Sequence, residues 1–407
     1  MPRINPDEAG LDVVKLNVID SIAIDAIEKK AIPGCVILVA KDGKIVYNKA
    51  FGYFNYDKKE AVTTTSIYDL ASVTKICATT ISIMKLYDEG KINLKNKLGG
   101  YLPWVKGTNK ENLLIENILL HQAGLAPLIW FYKETMDANG NPYTKYYSST
   151  SSDSFNIRVA QNLFLRSDWK DTMYKRIVES PLTKTGKYVY SDIDFILLGK
   201  VVEAVSGLPL DEYVQKEFYK PLGLNSTGFH PLNYDSINRI APTEQEKGFR
   251  NQLIRGDVHD PGAAMFGGVS GHAGLFSDAS DLVVLMQMLL NGGELGGKQY
   301  LQKKTIELFT AYHSAVSRRG YGFDKPEKDN ATRIEPYPCK SASPLTFGHT
   351  GFTGTCVWVD PRYNLIYIFL SNRVTPESDN EKLVKMNVRS KIEEVIYNAG
   401  MTDFLNK

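Results

Sequence analysis

The sequence lacks several features that would assign it to a large class of proteins. Its longest apolar runs are only as long as a β-strand, so no membrane span is predicted. The 48 Lys and Arg residues nearly balance the 46 Asp and Glu residues, and no block of basic residues points to nucleic acid as a partner. The four cysteines have no metal-ligand spacing, which favours buried thiols over a disulfide framework.

The beginning of the chain also lacks the apolar stretch of a secretory signal, since residues 1–5 are too polar. We therefore expect either a cytoplasmic location or a chain trimmed from a longer protein. The composition that is present is that of an ordinary globular protein: 407 residues, 43% hydrophobic and 23% charged. This length allows a large core and predicts two structural lobes, or one large domain with an insertion.

Apolar periodicity predicts the order of helices and strands along the chain. Helical patterns cover 11–30, 111–121, 193–205, 210–218, 282–290 and 382–398. Strand patterns cover 35–40, 45–50, 355–359 and 365–371, and an Asp-Gly pair between the first two is typical of a hairpin. This order predicts an α+β fold, in which a discontinuous α/β sheet domain (1–65 and 295–407) surrounds a mainly helical domain (66–294). A functional site is expected at their interface.

Two segments depart from regular periodicity. Residues 125–155 mix aromatic side chains with Gly, Asn, Ser and Thr, and a loop of this length is often functional. It either walls a substrate cleft or is a partly ordered surface insertion whose aromatic rings pack on the core. Residues 256–276 are rich in Gly and Ala, which allows close backbone approach or a flexible flap. We interpret His272, within this second segment, as structural.

Ser72 and Lys75 are three residues apart at the start of a predicted helix that ends at Gly90. That spacing places both side chains on one helix face, close enough to hydrogen-bond. A serine hydroxyl is a weak nucleophile until a base takes its proton, and a lysine can act as that base only when neutral. Burial or a nearby positive charge must therefore lower the pKa of Lys75. At the positive end of the helix, Ser72 would lie where a developing oxyanion is favoured.

The Ser-x-x-Lys spacing alone is weak evidence, because it occurs twice more in this chain. The other pairs are Ser82 with Lys85 and Ser167 with Lys170. Most such pairs are ordinary side chains on a helix surface. Support for Ser72 must therefore come from other segments.

Two distant segments supply that support. Tyr190 precedes an apolar helix, and its phenol can relay the proton of Ser72 to a leaving group. The run His-Thr-Gly-Phe at 349–352 lies at the mouth of a strand, where small residues let a substrate backbone lie alongside. The amide of Phe352 would pair with that of Ser72 as an oxyanion hole, contributing roughly 3 kcal/mol per donor.

Together these motifs resemble the signature of the serine β-lactamase and penicillin-binding-protein superfamily. That signature is Ser-x-x-Lys, then Tyr-x-Asn or Ser-x-Asn, then Lys-Thr-Gly. The chain is most similar to the branch that contains class C β-lactamases, DD-peptidases and esterases. The resemblance spans nearly the whole chain through further phrases at 119–125, 197–199, 221–224, 271–277 and 348–351.

The resemblance implies a fold and a site. The implied fold is an antiparallel sheet flanked by N- and C-terminal helices, next to an all-helical domain. The implied catalytic residues are Ser72, Lys75 and Tyr190, with no metal and no cofactor. The implied substrate-binding residues are Asp192, His349, Thr350, Gly351 and Phe352. The family suggests the periplasm or cell envelope, although the chain has no signal peptide.

Two positions depart from the family pattern. Asp192 stands where the family usually has Asn, and a carboxylate near Lys75 would favour the protonated lysine unless it is itself protonated or turned away. His349 stands where β-lactamases usually have Lys, and a neutral histidine attracts a substrate carboxylate less. Two literal matches are out of order: we interpret Lys-Thr-Gly at 184–186 as a turn and Ser-Asp-Asn at 378–380 as a helix cap.

The predicted function is that of a serine hydrolase acting through an acyl-enzyme on peptide, ester or β-lactam carbonyls. Expected substrates are small molecules or peptidoglycan peptides ending in D-amino acids, and no nucleic acid is expected to bind. Some members of the family are modules of larger cell-wall enzymes, and this chain fits such a module. The alternative is a catalytically weak penicillin-recognising sensor or a cell-wall-binding module.

Overall fold

A computed structural model describes residues 1–400 of the chain. It confirms the expected α+β fold, with helices and an antiparallel sheet. The helices are α1 (Val13–Leu16), α2 (Val18–Glu28), α3 (Ile81–Asp88), α4 (Ile115–Leu119), α5 (Trp169–Glu179), α6 (Asp192–Ser206), α7 (Leu210–Val214), α8 (Lys220–Leu222), α9 (Pro261–Met265), α10 (Ala279–Leu290), α11 (Lys303–Thr310), α12 (Lys382–Lys385) and α13 (Val388–Asn398). The strands are β1 (Gly34–Lys41), β2 (Lys44–Gly52), β3 (Tyr68–Asp69), β4 (Tyr147–Ser148), β5 (Ile157–Ala160), β6 (Leu163–Leu165), β7 (Glu244–Gln245), β8 (Leu253–Ile254), β9 (Phe276–Ser277), β10 (Glu294–Leu295), β11 (Lys298–Gln299), β12 (Phe347–Thr350), β13 (Cys356–Asp360) and β14 (Leu365–Ser371).

The main sheet has five strands in the order β12-β13-β14-β1-β2, and each neighbouring pair is antiparallel. β1 and β2 form the predicted hairpin. Asp42 and Gly43 in its turn have φ angles of 51° and 73°, as a two-residue hairpin turn requires. β1 also pairs with β14, where Cys35 lies opposite Ser371. Strands from the two ends of the chain therefore meet in one sheet.

Helices cover both faces of this sheet. Along β1, Val36 and Leu38 point into one core while Ile37 and Val39 point into the other. α10 packs on β1 and β14 from the first side, and α2 packs with α13 on the second. Because both faces are buried, the strands appear in the sequence as continuous apolar runs without alternation.

The segment from Ala71 to Gly90 contains three types of helical turn. Ala71–Val73 is a 3₁₀ turn, Lys75–Thr80 is π-helical and α3 completes the helix. Gly90 ends it with a φ of 69°. π-helical turns are rare and frequently occur at functional sites, and this one directly follows the predicted nucleophile.

The Gly-rich segment 256–276 packs closely against α6. A Cβ atom at Gly271 would lie 2.0 Å from the carbonyl oxygen of Phe195. Glycine is therefore required there for close backbone approach, which is one of the two roles that the sequence predicted for this segment.

Several helix predictions need correction. The pattern at 11–30 divides at Asn17 into α1 and α2, and the pattern at 382–398 divides before α13, where Asn387 has a φ of 52°. The helix predicted at 111–121 is reduced to α4, because Leu114 is extended and bridges to Lys97. The four cysteines are buried free thiols, as expected. In the 400 residues described, no helix is both long and apolar enough to span a membrane. The division into domains stays a prediction, and its last residues, 401–407, lie outside the described residues.

Candidate active site

The structure brings Ser72 and Lys75 into direct contact. Nζ of Lys75 lies 2.9 Å from Oγ of Ser72. Ser72 borders an open cleft, whereas Lys75 is fully buried. In the two other Ser-x-x-Lys pairs, the hydroxyls of Ser82 and Ser167 bind backbone carbonyls. The geometry therefore distinguishes Ser72 where the spacing did not.

Lys75 has two further partners. Its ammonium donates to Oδ1 of Asp192 at 2.7 Å and to the carbonyl of His272 at 3.3 Å. Burial would lower the pKa of Lys75, but Asp192 and Tyr190 outweigh burial, so that this pKa is raised. The expectation of a lowered pKa is wrong for the resting site, because the carboxylate that replaces the family's Asn faces the lysine.

Tyr190 lies between the lysine and the third motif. Its ring centroid is 4.9 Å from Nζ of Lys75 and 6.0 Å from the ring of His349. The segment is anchored by His121, whose Nδ1 accepts a hydrogen bond from the amide of Ser191 at 3.2 Å. Tyr190 also borders the cleft beside Ser72. Three segments that are distant in the sequence thus converge.

His349 does not act as a replacement cation for the missing lysine. It is buried, its Nδ1 donates to the carbonyl of Thr350 at 2.7 Å, and its Nε2 accepts from Nη2 of Arg319 at 3.2 Å. Burial, followed by the charges of Arg319 and Lys75, lowers the pKa of His349 to about 3. The ring is therefore a neutral imidazole, and the buried charge nearest to it belongs to Arg319.

The end of β12 is docked directly on the backbone before Ser72. Thr353 and Thr355 donate their hydroxyls to the carbonyls of Asp69 and Leu70, at 2.7 and 3.1 Å. A Cβ atom at Gly351 would lie 2.4 Å from the carbonyl oxygen of Leu70. The third motif therefore needs glycine at this position to approach the nucleophile turn.

Phe352 lines the same cleft as Ser72. The side chain is half exposed, stacks on His259 with a centroid distance of 5.7 Å, and lies 4.5 Å from the guanidinium of Arg373. Among residues 1–400, no acceptor binds the backbone amide of Phe352. This N–H is therefore free to donate to a ligand.

The cleft has a volume of about 540 Å³. Ser72, Tyr190 and Asp192 line it, and residues 128–132 supply an apolar and aromatic wall. The first part of the loop 125–155 therefore does line a cleft, as one of its two interpretations predicted. Later rings of the loop pack on neighbouring elements, as Tyr146 does against Trp169 at 5.2 Å, so the second interpretation also describes part of it.

His272 lies in the cleft wall, although the sequence indicated only a structural role. Its Nδ1 is 2.8 Å from Oγ of Ser270 and its Nε2 is 2.8 Å from Oδ1 of Asp260. Burial would raise the pKa of Asp260, but His272 outweighs it and holds that pKa below its ordinary value. Asp192, Asp260 and His272 are close enough to hold a cation, with ligand atoms within 4.8 Å of one another. Such an ion would have to displace the ammonium of Lys75 from Asp192.

Sequence reasoning missed Arg319, Asp260 and most of the cleft wall. Arg319 follows another arginine in an irregular segment, and no motif marks it. The first misleading match is the predicted turn, whereas the second immediately precedes the N-cap of α12, which is Glu381. Gly186 forms a turn with a φ of 89°, and Asn380 accepts from the amide of Lys382 at the start of α12.

Comparisons with known proteins show the family of this chain. A model of the Beta-lactamase family matches residues 19–386. A protein named "Putative D-alanyl-D-alanine carboxypeptidase" from Salmonella paratyphi A is 36% identical over 406 residues, covering 93% of this chain and 87% of that protein.

Solved structures share the fold at lower sequence identity. One is EstCE1, described as a hydrolase with promiscuous acyltransferase activity, with a TM-score of 0.66, 22% identity and coverage of 94% of this chain and 98% of that one. Another is a class C β-lactamase from Rhodobacter sphaeroides, with a TM-score of 0.63, 16% identity and coverage of 94% and 99%. Both support a β-lactamase/transpeptidase-like fold. By family model, curated relatives and motif order, the chain belongs to the β-lactamase family of serine hydrolases.

Proposed function

We propose that this protein is a serine acyl hydrolase that forms its acyl-enzyme on Ser72. The observation that carries the proposal is the 2.9 Å contact between Oγ of Ser72 and Nζ of Lys75 at the wall of an open cleft. A nucleophile and its base within hydrogen-bond reach, with the base held by a third group, is the arrangement that activates a hydroxyl. Asp192 is that third group here.

Lys75 starts the cycle as an ammonium, so it must lose a proton before it can accept one. Oδ1 of Asp192, at 2.7 Å, is the acceptor within reach. When a substrate fills the cleft and excludes water, separated charges become less favourable, and transfer of the proton from Nζ to Oδ1 leaves a neutral pair. The amine then takes the proton of Ser72 as Oγ bonds to the carbonyl carbon.

The remaining steps use Tyr190 and two backbone amides. The amides of Ser72 and Phe352 donate to the oxyanion of the tetrahedral intermediate. Tyr190 gives its proton to the leaving group and regains one from the ammonium of Lys75. Water then attacks the acyl-enzyme, losing its proton through the same groups, and Ser72 recovers its hydroxyl.

The substrate proposed is a peptide ending in D-alanyl-D-alanine, with simple esters as surrogates. Its support is the 36% identity to a protein named as such a carboxypeptidase. The apolar wall at 128–132 suits an acyl chain or peptide side chain. Efficient β-lactam hydrolysis is less favoured, because the neutral His349 provides no fixed charge for the β-lactam carboxylate.

A set of three substrates tests the proposal. The wild type is incubated with a p-nitrophenyl ester, with a peptide ending in D-alanyl-D-alanine, and with ampicillin, and adducts are followed by intact mass. We expect p-nitrophenol and free D-alanine, both lost in Ser72→Ala. Ser167→Ala, which alters a Ser-x-x-Lys pair away from the cleft, is the matched control. Activity of Ser72→Ala equal to that of the wild type would refute the assignment of the nucleophile.

The second candidate function is a penicillin-recognising sensor. The ion pair between Lys75 and Asp192 favours it, because a protonated lysine is a poor base for deacylation. The mass experiment separates the two functions. A penicillin adduct that persists for hours without ester or peptide turnover would support the sensor over the hydrolase.

A further inference from the structure

A second cavity lies behind the wall of the catalytic cleft. It has a volume of about 370 Å³ and shares the side chain of Ile196 with the cleft. Ser270 and Gly271 line it, and the next residue, His272, lines the cleft. Oγ of Ser270 and Nδ1 of His272 are 2.8 Å apart. A single stretch of backbone therefore separates the two spaces, and its carbonyl at His272 accepts from Lys75.

One cation and one anion on the lining of this cavity have no partner. Lys170 comes from α5 and Asp211 from α7, and neither side chain forms a hydrogen bond or ion pair with any of residues 1–400. Lys200 and Glu203 also line the cavity, but they bind each other. The unpaired charges therefore face one space without contacting one another.

Lys170 is partly buried and lines the cavity beside a residue that has no side chain. Gly267 faces it with a φ of 87°, and a Cβ atom built there would lie 3.4 Å from Nζ. Burial, followed by the charge of Lys200, lowers the pKa of Lys170. A poorly solvated ammonium gains strongly from a bound anion, since charge-assisted hydrogen bonds are the strong ones.

His230 supplies a neutral polar group on the same lining. Its φ is 53°, and its ring has no hydrogen-bond partner within the described chain. Burial lowers the pKa of His230, so the imidazole is uncharged at neutral pH. Together with the hydroxyl of Ser270 it can complete the hydrogen bonds of a small polar ligand.

We propose that this cavity is an effector site for a small zwitterion of the α-amino acid class. The ligand's carboxylate binds Nζ of Lys170, and its ammonium binds the carboxylate of Asp211. A zwitterion satisfies both unpaired charges at once, whereas a simple anion would leave Asp211 facing it. A ligand bound in this cavity affects substrate binding in the catalytic cleft through the shared wall at Ser270 and His272.

Isothermal calorimetry tests the binding with glycine, D-alanine and L-alanine as probes. We expect saturable binding of at least one probe, weakened about tenfold or more by Lys170→Gln and by Asp211→Asn. Lys175→Gln, on the exposed side of the same helix, is the matched control and keeps the wild-type affinity. Acetate and ethylamine each carry only one of the two charges, and each should bind at least about tenfold more weakly than the amino acid.

Three results would overturn the site. They are no saturable binding of any probe, wild-type affinity in both Lys170→Gln and Asp211→Asn, and binding that is lost in Phe352→Ala but kept in Lys170→Gln. The last would place the amino acid in the catalytic cleft. All measurements are repeated on Ser72→Ala, so that failure of the proposed acyl transfer does not affect this test.

The effector role rests on the proposed function and has its own readout. With the bound probe at saturation, the KM for the p-nitrophenyl ester should change about fivefold or more. The change should disappear in Asp211→Asn. Binding by calorimetry without any change in KM or kcat would overturn the effector role.

Discussion

Replacing Asp192 by Asn should release Lys75 from the charge that keeps it protonated. The two side chains are 2.7 Å apart, with Lys75 fully buried and the side chain of Asp192 24% exposed. At an effective dielectric constant of about 20, their attraction is at most about 6 kcal/mol, and it favours the protonated lysine. Burial then remains the main influence, so we expect the pKa of Lys75 to fall below its ordinary value.

The acylation rate as a function of pH is the assay, with a fluorescent penicillin or the p-nitrophenolate burst as its signal. In the wild type the proton moves within the Lys75–Asp192 pair, so no lysine titration appears near neutral pH. In Asp192→Asn the rate should rise with pH as Lys75 loses its proton, at a pH below the ordinary range of a lysine. Above that pH it should exceed the wild-type rate by about tenfold or more, because a neutral base is already present. A wild-type pH profile in a correctly folded variant would refute the view that Asp192 sets the protonation of Lys75.

Three further predictions concern the third motif. Burial lowers the pKa of His349 to about 3 in the folded protein, whereas an unfolded histidine titrates at about 6.5. As the pH falls below about 6.5, the unfolded chain binds a proton that the folded protein does not, so the folded protein loses stability. Urea unfolding measures this effect: between about pH 7 and about pH 5, the free energy of unfolding should fall by about 2 kcal/mol less in His349→Gln than in the wild type. Equal decreases would contradict a buried neutral ring. Gly351→Ala places a Cβ 2.4 Å from the carbonyl oxygen of Leu70 and should slow acylation about 100-fold. Gly100→Ala, where a Cβ meets open space, is the control and should keep the wild-type rate. Equal acylation rates in the two variants would disprove the close approach of the third motif to the nucleophile turn. Phe352→Ala keeps the backbone amide but removes part of the cleft wall. Steady-state kinetics should show KM rising about tenfold, with a smaller effect on kcat. A loss confined to kcat would show instead that the ring acts in the chemical step.

Much of the fold was predictable because it depends on local chemistry. The hairpin at Asp42-Gly43 and the helix end at Gly90 both follow from positive φ angles that a few residue types adopt readily. Apolar periodicity predicted α2, α6, α10 and α13, but α5 and α11 were not predicted. α4 was overestimated because the pairing of Leu114 with Lys97 overrode the helical pattern. The strand order β12-β13-β14-β1-β2 was not predicted, since pairing between the two ends of the chain leaves no local signal.

The sequence by itself determined which residues can meet through a short spacing: Ser72 and Lys75 share a helical turn, and their contact needs little else. Only the tertiary structure decided the charge of that lysine, because its partner Asp192 is 117 positions away and reaches it through the packing of α6. The neutral state of His349 and the cleft itself arose in the same way, from burial and from Arg319, which no motif marks. Protonation is set by the whole surrounding volume, and a linear pattern describes only the neighbours along the chain.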